Sequence, residues 1–336
     1  MIKKILVGLV AVLVVLAVVG LILPRHVAVK RSVAIDRPTS LVYATVNSFV
    51  LFPKWSPWQD LDPNMSQSTE GPREGVGAKL LWKGNDKVGS GTQVITASTA
   101  DQSVASDLDF GDMGTAKSLM TLTPDGKATR VTWTVDVDMG ANPIGHYIGL
   151  TMDGMLGKDF AAGLAKLKTL VESMPNTDIA GFSAEPVQLT ATPILVVSET
   201  APLEGIAKAY GDGFTQIAKF MAKNKLHQAG APLGIDGEMT PGSYKFDAGI
   251  PVDRADVVSA DGVRAIQSYA GKALKATHVG AYDGLSKTHD QLLAYIAAHG
   301  DTSKGPMFSW YIDDPGTTPV EKLRTEMYAP IENSGR

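Results

Sequence analysis

The stretch TRVTWTVDVDM, residues 129–139, decides the fold of the first half of the chain. Val131, Trp133, Val135 and Val137 fall on one side. Thr132, Thr134, Asp136 and Asp138 fall on the other, which is the two-residue period of a strand in a sheet with one wet face. Downstream, residues 147–172 change to helical spacing. Their stripe of Ile148, Met152, Met155, Phe160, Leu164, Leu167 and Val171 is wide enough to cover such a sheet. Upstream, alternation through Val27, Val29, Arg31, Val33 and Ile35 marks an opening strand. Asp36-Arg37-Pro38-Thr39 then starts a helix carrying Val42, Val46 and Phe49, which Pro53 and Pro57 end on either side of Trp55. Four more strand-like runs lie between, at residues 77–83, 91–98, 104–110 and 117–123.

One strand, short helices, an antiparallel meander and a long terminal helix describe a curved sheet gripping a helix. Residues 25–174 resemble the SRPBCC superfamily, the START-like or polyketide cyclase-like helix-grip domains. The resemblance is carried by VAIDRPTSLVYATVNSFVLFPKWSPW (33–58), GVGAKLLWKGN (75–85), GSGTQVI (89–95) and the terminal helix. It implies an apolar cavity between sheet and helix that takes lipids, polyketides or other hydrophobic molecules, with Trp82, Trp133, Met152 and Met155 as candidate lining. Aromatic and Met stripes also read as ordinary packed core. No catalytic acid–base pair stands out in this half.

A Pro-, Gly- and Ser-containing break, MPNTDIAGFSAEP (174–186), supplies a linker at 175–186. The remainder, 187–332, contains an internal repeat. The first copy is a strand (195–200), a helix (203–224), Ala231-Pro232 and two strands ending at Pro251. The second is a strand (273–282), a helix (284–299), Gly305-Pro306 and two strands ending at Ile331. Tyr210 and Tyr282 hold related places ahead of Pro232 and Pro306. Both helices are amphipathic, through Ile206, Tyr210, Phe214, Ile217 and Met221, then Leu285, Leu292, Leu293 and Ile296. Two strand–helix–strand–strand units can pair about a pseudo-twofold axis, with a groove between the halves as the default ligand site. The predicted class is α+β: a helix-grip antiparallel sheet domain plus this repeated domain, after one transmembrane helix.

This half is similar to the GyrI-like family, also called the AraC-type effector-binding domain. The resemblance rests on THVGAYDGLSKTHDQLLAYI (277–296), GPMFSWYIDDP (305–315) and PVEKLRTEMYAPI (319–331). It implies a small-molecule site with a central acid in an aromatic-lined groove, for amphipathic and often cationic compounds; some members are hydrolytic. The family's acid maps to Glu326 and its tyrosine to Tyr311. Trp310, Tyr282, Tyr244 and Tyr328 are further candidates, each also readable as core. Taken strand by strand, Arg324, Glu326 and Tyr328 share one face, and Tyr311 shares a face with Met307 and Ser309. A carboxylate among rings suits an organic cation, since ring faces add about 0.5–2 kcal/mol each. Burial there would raise the acid's pKa, as a general base requires. The residues alone also allow Glu326 as an exposed strand carboxylate beside Arg324.

At the N-terminus, residues 5–23 contain no charged residue, and at about 1.5 Å per residue they reach about 28 Å, enough to cross a bilayer core. An uncleaved anchor over residues 1–24 is favoured over a secretory signal, because the apolar run exceeds a signal core and no A-x-A site follows. Lys3 and Lys4 place the N-terminus inside and the body outside the cytoplasm, facing the periplasm of a bacterial inner membrane, although Arg25, Lys30 and Arg31 weaken the asymmetry. The absence of cysteine fits that compartment and removes thiolate metal sites and cysteine nucleophiles.

A net charge of -4 and dispersed Lys/Arg give no nucleic-acid footprint. No P-loop, GxGxxG after a strand, HExxH or GxSxG occurs. His278 and His289 lack metal spacing, and no cofactor or metal is expected. The leading expectation is a membrane-anchored protein that binds a small amphipathic, cationic or hydrophobic molecule. The alternatives are a hydrolase with Glu326 as general base and Tyr311 orienting substrate, and a scaffold for a membrane partner.

Overall fold

In the computed structural model, residues 2–111, 114–254 and 256–332 are described. They form two units, one carried mainly by residues 2–180 and the other by residues 181–296 and 301–332. The apolar N-terminal run is helix α1 (Ile2–Ile22). Its span Lys3–Ile22 is long and apolar enough to cross a membrane.

The first unit continues with β1 (His26–Ile35), the short helices α2 (Thr39–Val46), α3 (Phe52–Trp55) and α4 (Trp58–Leu61), and six further strands. These are β2 (Ser66–Glu70), β3 (Lys79–Lys83), β4 (Ser90–Thr99), β5 (Ser103–Asp109), β6 (Thr115–Asp125) and β7 (Ala128–Asp138), before the long helix α5 (Pro143–Glu172). The sheet order is β1-β7-β6-β5-β4-β3-β2, antiparallel throughout. Val131, Trp133 and Val135 are buried, as the alternation in β7 requires, and so are Phe160, Leu164, Leu167 and Val171 of α5. The Trp133 and Phe160 rings stack at 4.3 Å and 7°. The close approach of α5 depends on Gly163, where a Cβ would fall 2.9 Å from Pro57 and 3.2 Å from the Trp133 ring.

Helix α5 starts earlier than residue 147. Asn142 caps it by accepting from the Ile144 N–H at 3.0 Å, and Pro143 occupies the first turn, where a missing N–H costs nothing. The edge strand β2, sequence SQSTE, has no apolar alternation to announce it and is held by backbone pairing to β3. Of the break after α5, Met174 and Ile179 are buried. Ser40 Oγ donates to Asp178 at 2.6 Å and accepts from the Ile179 N–H at 3.0 Å, so this segment packs on the first unit.

The second unit contains β8 (Glu185–Leu189), β9 (Pro193–Ala201), α6 (Ile206–Asn224), β10 (Leu233–Thr240), β11 (Ser243–Pro251) and β12 (Arg264–Gln267). It continues with β13 (Gly271–Val279), α7 (Leu285–Ala298), β14 (Thr302–Ser303), β15 (Phe308–Tyr311) and β16 (Arg324–Glu332). The main sheet path is β12-β9-β11-β10-β15-β16-β13-β8. The repeat is visible as β9-α6-β10-β11 and β13-α7-β15-β16, with β10 antiparallel to β15 at the centre, as a pseudo-twofold arrangement requires. Both helices cover one face of the sheet. Ile217, Phe220 and Met221 of α6 pack on Leu195, Val197 and Ile250. Leu292 and Ile296 of α7 pack on Leu274, Ala276, Met327 and Ala329. The opposite face carries Ile194, Val196 and Leu233 in one cluster and Ala273, Phe308 and Tyr328 in another. The short strands β8, β12 and β14 lay outside the strands expected from sequence; each lies at the sheet margin or off its main path, where pairing substitutes for a hydrophobic pattern.

Candidate functional site

Residues paired directly across antiparallel strands project to the same face. Trp310 pairs with Glu326 and Phe308 with Tyr328, whereas Tyr311 pairs with Thr325 and Ser309 with Met327. Met327 lies under α7, so Tyr311 belongs to the helix face and Glu326 to the opposite one. The two residues singled out together from sequence therefore point to different sides of the sheet.

Around Tyr311 the helix face gathers an aromatic cage. The rings of Tyr210, Phe214 and Tyr282 lie edge-on to it, with centroids at 5.8, 6.4 and 5.5 Å. Tyr210 also stacks on Phe246 at 4.0 Å, and Tyr244 stacks on Phe246 at 5.3 Å. The cage draws on α6, β11, β15 and the turn Tyr282–Gly284 that leads into α7, so both repeats contribute. Gly234 makes the floor: a Cβ there would lie 2.2 Å from the Tyr210 hydroxyl. The cage is half-buried, with Tyr282 the most open at 38% exposure.

The Asp236 carboxylate adjoins this cage. Asp236 pairs with Phe246 in the β10–β11 register and so shares the helix face. Tyr244 donates its hydroxyl to Asp236 Oδ1 at 2.8 Å, and His289 Nε2 of α7 lies 3.2 Å from Asp236 Oδ2. The hydrogen bond to Asp236, with Asp290 3.5 Å away on the other side, holds the His289 imidazolium above the usual histidine range despite partial burial. Burial pushes the Tyr311 phenol up to about 12. Tyr210 and Tyr244 rise for the same reason, Tyr244 also through the adjacent Asp236 charge. Tyr282 rises through burial and the charges of Asp313 and Asp314. These phenols are neutral at physiological pH, so they act as ring faces and hydroxyl donors around an acidic centre.

Three candidates from sequence, Tyr244, Tyr282 and Tyr311, thus meet in the cage. The other three, Glu326, Trp310 and Tyr328, meet on the opposite face. There Tyr328 donates to Glu326 Oε2 at 2.6 Å, Lys275 Nζ lies 3.4 Å from Glu326 Oε1, and Glu185 holds the same lysine at 2.6 Å. Phe308 and Tyr328 stack at 5.2 Å beside them. Glu326 is therefore engaged by a cation and a phenol of the chain itself. Sequence reasoning missed Asp236, His289 and the cage role of Tyr210. The signal for Tyr210 lay in its repeat relation to Tyr282, and for Asp236 in a lone acid within the apolar strand LGID. Among the described residues, no cluster of three or more His, Cys, Asp or Glu could hold a metal ion.

A recess of about 380 Å³ lies over β9–β12 and is lined in part by Lys245, Asp247 and Arg264. Arg264 pairs with Asp247 at 2.6 Å and with Ser198 at 3.0 Å, so its charge is already compensated. In the first unit, the space between sheet and helices is a cavity of about 20 Å³ lined by Trp133, Phe52, Trp55, Met120, Gln93 and Ser118 among others. That is room for about one water. Of the residues expected from sequence, Trp133 lines it. Trp82 instead packs edge-on to Phe110 at 5.8 Å, Met152 is half-buried on α5, and Met155 is 61% exposed.

Comparison with known proteins places both halves. Residues 26–172 match the family described as polyketide cyclase/dehydrase and lipid transport, and residues 185–332 match the GyrI-like small molecule binding domain. Among solved structures, the EcmrR C-terminal domain is 15% identical, with 45% of this chain and 98% of that one covered and a TM-score of 0.41. A hydrolase encoded by lin2189 from Listeria innocua is 14% identical over 45% and 92%, with a TM-score of 0.34. SAV2435 bound to tetraphenylphosphonium is 18% identical over 45% and 94%, with a TM-score of 0.34. No curated protein sequence matches the chain significantly.

Proposed function

We propose that this chain, which joins a polyketide-cyclase-type domain to a GyrI-like domain, is a membrane-anchored receptor for a small amphipathic cation held in the Asp236 cage. The carrying observation is that Asp236, fixed by Tyr244 at 2.8 Å and facing His289 at 3.2 Å, acts on the phenols of Tyr210, Tyr244 and Tyr311, with Tyr282 edge-on to Tyr311 on the open side. A cation in that position pairs with the carboxylate and gains about 0.5–2 kcal/mol from each ring face it meets. Asp314 near Tyr282 adds to the negative field, while Asp313 is paired with Arg324 at 2.8 Å. The separation of Glu326 from Tyr311 supports binding over a hydrolytic pairing of those two residues.

The apolar span Lys3–Ile22 supports attachment to a bilayer, and Lys3 and Lys4 support a body outside the cytoplasm. The small cavity of the first unit, about 20 Å³, supports a structural role for that domain ahead of a second ligand. The test is titration of the detergent-solubilised full chain with a panel of quaternary ammonium and phosphonium ions. Asp236→Asn should weaken binding by about tenfold, which is about 1.4 kcal/mol, and Glu326→Gln should leave it unchanged. Equal affinity of the wild type and Asp236→Asn, or a loss confined to Glu326→Gln, would reject the assignment.

A further inference from the structure

We infer that the first three turns of α5, together with the loop before them, lie in the membrane interface beside the anchor, so that the first unit is held against the lipid surface by two elements. The inference rests on the reading of α1 as a membrane span. Its geometric basis is the contact between the two helices. Tyr147 of α5 donates its hydroxyl to the Leu16 carbonyl at 2.7 Å, and the His146 ring faces the Gly20 carbonyl at 2.6 Å and the Gly140 carbonyl at 2.9 Å. Gly20 permits this approach, since a Cβ there would come 2.7 Å from Pro143 Cβ.

Leu16 is six residues before the end of α1, or about 9 Å of helix rise. A side chain of α5 therefore reaches a level about 9 Å inside the span, which fits the depth of about 5–10 Å at which interfacial helices bury their apolar faces. The composition agrees. Residues 139–152 contain no Asp, Glu, Lys or Arg. The flanking acids are neutralised locally, Asp138 by Arg25 at 2.6 Å and Asp153 by Arg31 at 2.8 Å. Ile144, Ile148 and Met155 fall on one stripe of α5, opposite the buried Phe160 and Leu164, and are 67%, 51% and 61% exposed. Water is a poor solvent for that stripe, and the end of the anchor brings lipid to it.

The absence of cysteine allows a clean test. Single variants Leu13→Cys, Ile148→Cys and Thr169→Cys of the full chain are labelled with an environment-sensitive fluorophore. The proteins are reconstituted in phosphatidylcholine–phosphatidylglycerol vesicles with or without doxyl-labelled lipid. The expected result is several-fold quenching at residues 13 and 148, with residue 169, at the far end of α5, unaffected. Quenching at 13 without quenching at 148 overturns the interfacial placement while leaving the anchor intact. A blue-shifted label at 148 that doxyl lipid does not quench also overturns it and assigns the stripe to a protein contact. No quenching at 13 rejects the anchor, and the interfacial placement with it.

Discussion

Asp236 of the first repeat and His289 of the second face each other across 3.2 Å, so the acidic centre of the cage carries its own titratable counter-charge. A bound cation would compete with the proton on His289 for the same carboxylate. The groups that face His289 are Asp236 and Asp290, with Tyr244 on the other oxygen of Asp236.

The sign of the pH dependence follows. The folded-state pKa of His289 is raised, first by its hydrogen bond to Asp236. Its stabilising contribution is therefore complete below the ordinary histidine value of about 6.5 and is lost as pH climbs through the raised value. Cation affinity runs the other way: it is weak while the imidazolium neutralises Asp236 and rises as that proton leaves. One coupled proton limits the slope to about tenfold per pH unit. Titrations between about pH 5 and 9 should show the rise, and His289→Gln should flatten it. A flat wild-type profile would remove His289 from the site.

The seat of Tyr210 offers a steric test. In Gly234→Ala the new methyl meets the Tyr210 hydroxyl, because an ideal Cβ lies 2.2 Å from it. Tyr210 must swing away from Tyr311 and Phe246, at an overpacking cost of about 1–3 kcal/mol. Binding should weaken and thermal stability should fall together. Gly211→Ala is the control on the same helix, since its Cβ would meet nothing within 4 Å. It should gain about 0.5–1 kcal/mol of stability from helix propensity and leave affinity alone. A Gly234→Ala protein with wild-type affinity would exclude Tyr210 from the cage.

The opposite face predicts a different signature. The Tyr328 hydroxyl donates to Glu326 at 2.6 Å, and the pair is tied to Lys275. Tyr328→Phe removes one hydrogen bond and should cost about 1 kcal/mol in chemical denaturation. It should not change cation affinity. A loss of affinity without a loss of stability would return the ligand site to the Glu326 face.

The division between those two faces shows where sequence legibility stops. Alternation within β15 and β16 was readable, and it correctly grouped Glu326 with Tyr328 and Tyr311 with Ser309. What joins Tyr311 to Thr325 is the register between strands, which arises from turn geometry and long-range pairing that no local pattern encodes. The same limit hid Asp236: its neighbours in the cage come from β11, α6 and α7, all distant in sequence. The repeat, the β7 alternation and the Phe160–Val171 part of the α5 stripe were legible because each buries a continuous face. The polar strands β2 and β14, and the short β8 and β12, were not, because pairing alone holds them. Helix α5 illustrates a middle case. The expected stripe buries from Phe160 onward, whereas Ile148 and Met155 turn to the opposite, exposed side, and the helix begins earlier than expected because Asn142 and Pro143 supply its cap.

The core of the first unit separates two tryptophans that look alike in sequence. Trp133 is buried, stacks on Phe160 at 4.3 Å and donates its indole N–H to Ser118 at 3.0 Å. Trp82 is half-buried and touches Phe110 edge-on at 5.8 Å. Trp133→Ala removes the ring on which α5 rests and leaves the Ser118 hydroxyl without its donor. The expected cost is about 3–5 kcal/mol, a large share of a typical domain's stability. Trp82→Ala should cost clearly less, because part of its surface already faces water and fewer neighbours lose contact. Urea unfolding of the two variants, followed by circular dichroism, decides between them. Equal losses would mean that the α5–β7 contact is not the centre of this core, and a greater loss for Trp82→Ala would move that centre toward β3 and β4.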